Sequence, residues 1–168
     1  KKILANSGID LKQELKLTTT KDYLDLCVLV QKNLADIGIT IKIDVVPSSL
    51  LKQQKSAGDV SFFRSSWIAD YPDGENYLSC FYSKNKAPNG PNYTRLNNQE
   101  FDALYEQLIA ATTTLEQQAL STKLELILQE ECPFINLFYD QSIWITHKNL
   151  KHLKVNALNH IDLTMVEI

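Results

Sequence analysis

The chain has 168 residues, with 17 basic and 20 acidic side chains, a formal net charge of −3 and a hydrophobic fraction of 44%. A domain of about 150 residues buries roughly 68–70% of its unfolded surface, so this length and composition predict a globular body with a real core. The slightly acidic balance argues against nucleic-acid binding, which needs a clustered excess of Lys and Arg. No apolar run reaches the roughly 18–20 residues that cross a bilayer.

The first residues, KKILANSGI, are typical of the end of a helix. Leu4 supplies an apolar position, and Gly8 can adopt the positive φ that ends many helices. Neither an initiator Met nor a signal peptide precedes them. We therefore expect the chain to be a fragment of a longer protein.

The next elements form a strand, a helix and a strand. Leu15 and Leu17 alternate with polar residues in a predicted strand over 14–20. Apolar residues then recur every three or four positions from Tyr23 to Ile37, which predicts a helix, and the alternation over 39–45 predicts a second strand. A strand–helix–strand unit of this length predicts parallel strands with a right-handed crossover.

The remaining chain continues the alternation of helices and strands. A short helix is predicted up to Ala57, where Gly58 ends it, and a third strand over 59–68. The later elements are an irregular loop over 84–98, helices over 101–111 and 115–131, a pair of strand-like runs over 134–147 and a last strand over 161–168. This order predicts the α/β class.

Candidate ligand-binding residues are concentrated in the segment RSSWIADYPDGE at the end of the third predicted strand. Ligands of open α/β sheets bind at the carboxyl ends of the strands. Trp67 offers a flat apolar face with one donor, Asp70 a carboxylate for an ammonium group, and Arg64 a planar fork for a carboxylate. The alternative is a surface turn with a core Trp and a solvated Asp.

Other chemistry has little support in the pattern. Asp70, Asp73 and Glu75 lack the alternate-position acids of a calcium loop, and sequence alone cannot show the carboxylate separation of a glycosidase. The three cysteines and three histidines have no metal-ligand spacing. No catalytic or nucleotide-binding motif is present. We expect no catalytic residue, no bound metal, no cofactor and no enzymatic activity.

The order GITIKI, GDVSFFRSSWIADYPDGENYL, NNQEFDALYEQL and CPFINLFY resembles the bacterial extracellular solute-binding proteins of family 5. This group captures oligopeptides, dipeptides or nickel for ABC importers. The resemblance implies a periplasmic-binding-protein-like (type II) fold with a mixed sheet flanked by helices. It further implies that residues 1–168 form a single α/β lobe, the C-terminal lobe of a larger two-lobed protein. The sequence departs from the family signature at Ser66 and Gly74.

The resemblance also implies residue roles. The aspartate that matches Asp70 takes the α-ammonium group of a peptide, the tryptophan that matches Trp67 lines the cleft, and the arginine that matches Arg64 lies near ligand carboxylates. The loop over 84–98 either borders the cleft or is a plain surface loop.

Further candidates for the border of the cleft are Tyr71 and, within that loop, Asn92 and Tyr93.

The implied partners are a peptide or other small ligand, the permease subunits of an ABC transporter and the N-terminal lobe of the same protein. The implied location is periplasmic or otherwise extracytoplasmic, with the full-length protein anchored as a lipoprotein. Two alternatives remain open. The same fold could bind a nickel chelate, haem or sugar, or the lobe could serve a sensor as an interaction surface.

Overall fold

The computed structural model describes residues 15–139, 141–156 and 160–167. The chain divides into two compact units. The first unit ends at Ser66 and takes in Ala87–Tyr93; the second holds Trp67–Lys86 and the chain from Thr94 onward. The helix end expected over residues 1–9 lies outside the described residues.

The first unit is built on the expected strand–helix–strand arrangement. Strand β1 (Leu15–Thr19) is followed by a 3-10 turn and helix α1 (Leu24–Ala35), and strand β2 (Ile41–Val45) pairs with β1 in parallel. The prediction of parallel strands is therefore confirmed.

The core of this unit lies between α1 and the two strands. Cys27 on the helix is 2% exposed and is buried together with Leu17 of β1 and Ile41 of β2, each 4% exposed. The apolar faces that the sequence pattern assigned to the helix and the strands thus meet, which is what holds the unit together.

Helix α2 (Ser48–Ala57) ends as expected at Gly58, whose φ of 87° lies in the left-handed region. The expected third strand over 59–68 is much shorter. Thr18 of β1 forms a parallel bridge with Phe63, donating its N–H to the Phe62 carbonyl (3.0 Å) and accepting from the Arg64 N–H (3.0 Å). The strand prediction was wrong in extent because, beyond Arg64, this register carries the chain past the end of β1.

The second unit is mainly helical. It contains the single turn α3 (Glu75–Leu78), two 3-10 turns, helix α4 (Gln99–Ala110) and helix α5 (Thr114–Glu131). The two long helices confirm the prediction. Each begins at a side-chain cap, where Asn98 accepts the Phe101 N–H and Thr113 accepts the Glu116 N–H.

The core of the second unit is formed by side chains of α3, α4, α5 and the turns after α3. Its buried members are Leu78, Tyr82, Phe101, Tyr105, Leu108, Leu120, Leu124 and Leu128. The expected stripe on α5 therefore faces inward, and Ile127 packs against the same cluster.

The expected strand-like runs over 134–147 are not strands where the structure describes them, over 134–139 and 141–147. A strand is stable only when a neighbour pairs with its backbone groups, and no strand partner is assigned to this segment among the described residues. The last expected strand is reduced to β4 (Ile161–Asp162), antiparallel to β3 (Lys154–Val155), and to a single antiparallel bridge between Glu167 and Lys151.

Candidate functional site

The turn from Trp67 to Asn76 in the second unit is fastened by one side-chain oxygen. The indole Nε1–H of Trp67 donates to Oδ1 of Asn76 at 2.7 Å, and the backbone N–H of Asp70 donates to the same oxygen at 3.2 Å. Asn76 lies in α3 and is only 4% exposed, whereas Trp67 is 36% exposed. A buried amide therefore holds two residues that face solvent.

The side chain of Asp70 is exposed. Within the described part of the chain, no hydrogen bond or ion pair engages its carboxylate. The backbone of Asp70 is fixed while its charged group points to solvent. Such a carboxylate can accept charge-assisted hydrogen bonds from an ammonium group, and hydrogen bonds to charged groups are worth about 1.5–3 kcal/mol each.

Arg64 lies in the first unit and stacks on an aromatic ring. Its guanidinium carbon is 3.1 Å from the centroid of the Tyr23 ring, and its Nη1 donates to Oγ of Ser66 at 3.4 Å. Among the described residues no carboxylate forms an ion pair with it. A guanidinium that stacks through its face keeps N–H groups at its edge for a planar anion such as a carboxylate.

Lys55 of α2 is a second cation in the first unit that sequence reasoning missed. Its Nζ lies 4.6 Å from the centroid of the Tyr93 ring and donates to Oγ of Ser65 at 3.0 Å. Burial, followed by the charges of Arg64 and Lys52, lowers the pKa of Lys55. The first unit thus carries two positive charges near enough to act on each other.

The three candidates for the border of the cleft have different surroundings. Tyr71 is exposed and donates its hydroxyl to Glu75, and this hydrogen bond raises the pKa of the phenol. Asn92 is fully buried, and its carbonyl accepts the Ala87 N–H at 3.2 Å. Tyr93 is half-buried and carries Lys55 over its ring.

Glu75 joins Tyr71 to the core of the second unit. The hydroxyl of Tyr105, on α4, also donates to the Glu75 carboxylate. Burial and this hydrogen bond raise the pKa of Tyr105. An open groove is lined by Tyr71 and Glu75 together with Asp73, Leu108, Ile109 and Gln117.

The structure thus brings together two of the three expected ligand-binding residues. Trp67 and Asp70 share the Asn76 oxygen, while Arg64 belongs to the other unit, where its charge acts on Lys55. No local pattern could have singled out Asn76 or Lys55. Their hydrogen-bond partners lie six to ten positions away along the chain, and the Tyr93 ring that Lys55 covers lies farther still, so these groups meet only in the fold.

Within 15–139, 141–156 and 160–167, no three acidic, Cys or His side chains are grouped so that they could hold a metal ion. None of the helices in these ranges is long and apolar enough to cross a membrane.

The chain is similar to several curated peptide-binding proteins. It is 24% identical over 132 residues to the di/tripeptide-binding protein 4 of Pseudomonas aeruginosa, covering 79% of this chain and 25% of that protein. It is 27% identical over 116 residues to the oligopeptide-binding protein OppA of Bacillus subtilis, covering 69% and 21%. A putative binding protein of Haemophilus influenzae is 37% identical over 114 residues, covering 66% and 21%. The chain therefore spans about a quarter of the length of such relatives.

Solved structures share the fold. The Escherichia coli murein tripeptide binding protein MppA superposes with a TM-score of 0.71 at 21% identity, covering 79% of this chain and 26% of that one. The periplasmic binding protein DppA of Helicobacter pylori, in complex with the peptide STSA, gives 0.71 at 24% identity with the same coverage. These matches confirm the predicted α/β, periplasmic-binding-protein-like (type II) fold class.

The family model for the bacterial extracellular solute-binding proteins, family 5 (middle), matches residues 1–89. This range is more than half of the 168 residues and includes Arg64, Trp67 and Asp70. The chain therefore belongs to family 5 of the bacterial extracellular solute-binding proteins.

Proposed function

We propose that this chain is the C-terminal lobe of the substrate-binding component of an ABC importer, and that residues 1–168 act together as that lobe. The complete protein captures peptides between two lobes and delivers them to the permease subunits. Support comes from the family, from relatives named for peptide binding, and from the chain's spanning about a quarter of their length.

The observation that carries the proposal is the exposed carboxylate of Asp70, which no hydrogen bond or ion pair engages within the described residues, on a backbone that shares the Asn76 oxygen with the exposed indole of Trp67. In the proposed complex Asp70 receives the α-ammonium group of the peptide and Trp67 covers the first residues of the ligand. Closure of the N-terminal lobe over the ligand excludes water and strengthens the charge-assisted contact. Removing one member of such a buried pair costs about 3–5 kcal/mol, or roughly two to three and a half decades of affinity.

Arg64 and Lys55 complete the electrostatic part of the proposal. They supply positive charge that has no ion-pair partner in the described part of the chain. In the proposed complex this charge faces carboxylates of the ligand.

The proposed location is outside the cytoplasmic membrane, as the family description implies. The finer part of the proposal is that a lipid anchor holds the full-length protein at the membrane. Metabolic labelling of the full-length protein with a fatty acid tests the anchor, and a protein that stays unlabelled contradicts it.

The ligand class is tested by native mass spectrometry of the full-length protein purified without added ligand. A ladder of co-purified masses that fit short peptides is the expected result. A single non-peptide mass would keep the transport role and remove the ammonium role of Asp70. A protein that carries nothing and ignores a peptide library would contradict the peptide proposal.

The residue role is tested with two matched variants of the full-length protein. Asp70→Asn removes the proposed charge, and Asp73→Asn removes another exposed carboxylate while keeping the oxygen that accepts the Glu75 N–H. We expect Asp70→Asn to weaken peptide binding at least about tenfold and Asp73→Asn to leave it nearly unchanged. Equal affinities of the two variants in calorimetry would refute the role of Asp70.

A further inference from the structure

One buried side chain connects the proposed ligand-binding residues to the body of the second unit. Oδ1 of Asn76 accepts two hydrogen bonds, one from the Trp67 indole at 2.7 Å and one from the Asp70 backbone at 3.2 Å. Both partners are donors only, because neither an indole N–H nor a peptide N–H can accept a hydrogen bond. The orientation of the amide is therefore fixed, with its oxygen facing the turn.

The amide itself is held by its own backbone. The N–H of Asn76 donates to the Asp73 carbonyl at 3.2 Å, and its carbonyl accepts the hydroxyl of Ser79 at 2.7 Å. With only 4% of its surface exposed, Asn76 has little freedom to choose another rotamer. The two hydrogen bonds to the turn thus originate from a fixed point in α3.

We propose that Asn76 is a positioning residue for ligand binding, which presets the Trp67 indole plane and the Asp70 main chain for the ammonium end of a peptide. This inference rests on the proposed function. The Asn76 oxygen is the hydrogen-bond acceptor of the partly exposed indole, and it also holds the main chain that carries the exposed carboxylate of Asp70. Fixing both before the ligand arrives lowers the entropy cost of binding.

Three variants of the full-length protein separate positioning from general stability. Asn76→Ala removes the shared acceptor, and Asn76→Asp keeps an oxygen at the same place. Ser79→Ala removes the hydrogen bond to the Asn76 carbonyl but leaves both bonds to the turn intact. Should Asn76→Ala fail to fold, Asn76→Gln displaces the amide by one methylene and is expected to act in the same direction.

The first readout is the exchange of the Trp67 indole proton with water, assigned in NMR spectra by its loss in Trp67→Phe. We expect exchange at least about tenfold faster in Asn76→Ala than in the wild type, with wild-type rates in Asn76→Asp and Ser79→Ala. Unchanged exchange in Asn76→Ala would overturn the inference without any reference to ligand.

The second readout is binding affinity. Among alanine peptides of two to five residues, the one that binds the wild type most tightly is chosen, and its affinity is compared with that of its N-acetylated form. We expect Asn76→Ala to reduce the preference for the free amine at least about fivefold, and Asn76→Asp to restore it. A wild-type preference in Asn76→Ala would overturn the inference. If Asp70→Asn abolishes the preference and Asn76→Ala does not, only the Asn76 role fails. A wild type without any preference would contradict both the proposed function and this inference.

Discussion

The second unit contains two regions rich in apolar residues, one buried and one exposed. In the helix pair α4–α5, Phe101 and Leu124 are fully buried. In the segment over 134–147, Ile143 and Ile145 are 87% and 94% exposed, and the described residues adopt no regular structure. Both regions have an apolar pattern in the sequence, yet only the first forms a core.

The difference follows from where the backbone hydrogen bonds are made. A helix satisfies its backbone groups within its own segment, so α4 and α5 need only to bring their apolar stripes together. A strand must find a neighbour for the same groups. An apolar pattern therefore predicts a face that favours burial, and for a strand it leaves open which segment covers that face.

The largest loss of stability is expected when a side chain at the centre of the helix pair is truncated. Leu124→Ala is expected to lower the free energy of unfolding of this chain by about 3 kcal/mol or more, because it leaves a cavity in the core. Leu126→Ala on the same helix is the control, since Leu126 is 58% exposed. Urea unfolding measures both; similar losses would contradict the assigned inner face of α5.

A smaller loss is expected at the start of α5. Thr113→Ala removes the side chain that accepts the Glu116 N–H at 3.3 Å, which should lower the free energy of unfolding by about 1 kcal/mol. Thr113→Ser keeps the hydroxyl and should retain most of that stability. If serine is as damaging as alanine in thermal unfolding, the cap is not the source of the loss.

The smallest effect is expected in the exposed segment. Ile145→Ser replaces an apolar side chain that is almost fully exposed in this chain. The free energy of unfolding of the chain should therefore change by less than about 0.5 kcal/mol. The same urea experiment measures it beside Leu124→Ala. A loss comparable to that of Leu124→Ala would show that this segment is packed, which would contradict its exposure.

The same physical distinction explains how much of the molecule the sequence predicts. Local periodicity predicts helices α1, α2, α4 and α5 and the two strands of the parallel pair β1–β2. The third strand and the runs over 134–147 were overestimated, because their pairing depends on distant neighbours. Trp67 and Asp70 were found through the chemistry of their own side chains. Asn76 and Lys55 were missed because their importance depends on contacts that only the fold creates.

The central claim is that Asp70 receives the ammonium group of a peptide. The most direct measurement is calorimetric titration of the full-length protein and of Asp70→Asn with an alanine peptide and its N-acetylated form. Acetylation is expected to weaken binding to the wild type at least about tenfold and binding to Asp70→Asn less than about twofold. Equal losses on acetylation in both proteins would contradict the central claim.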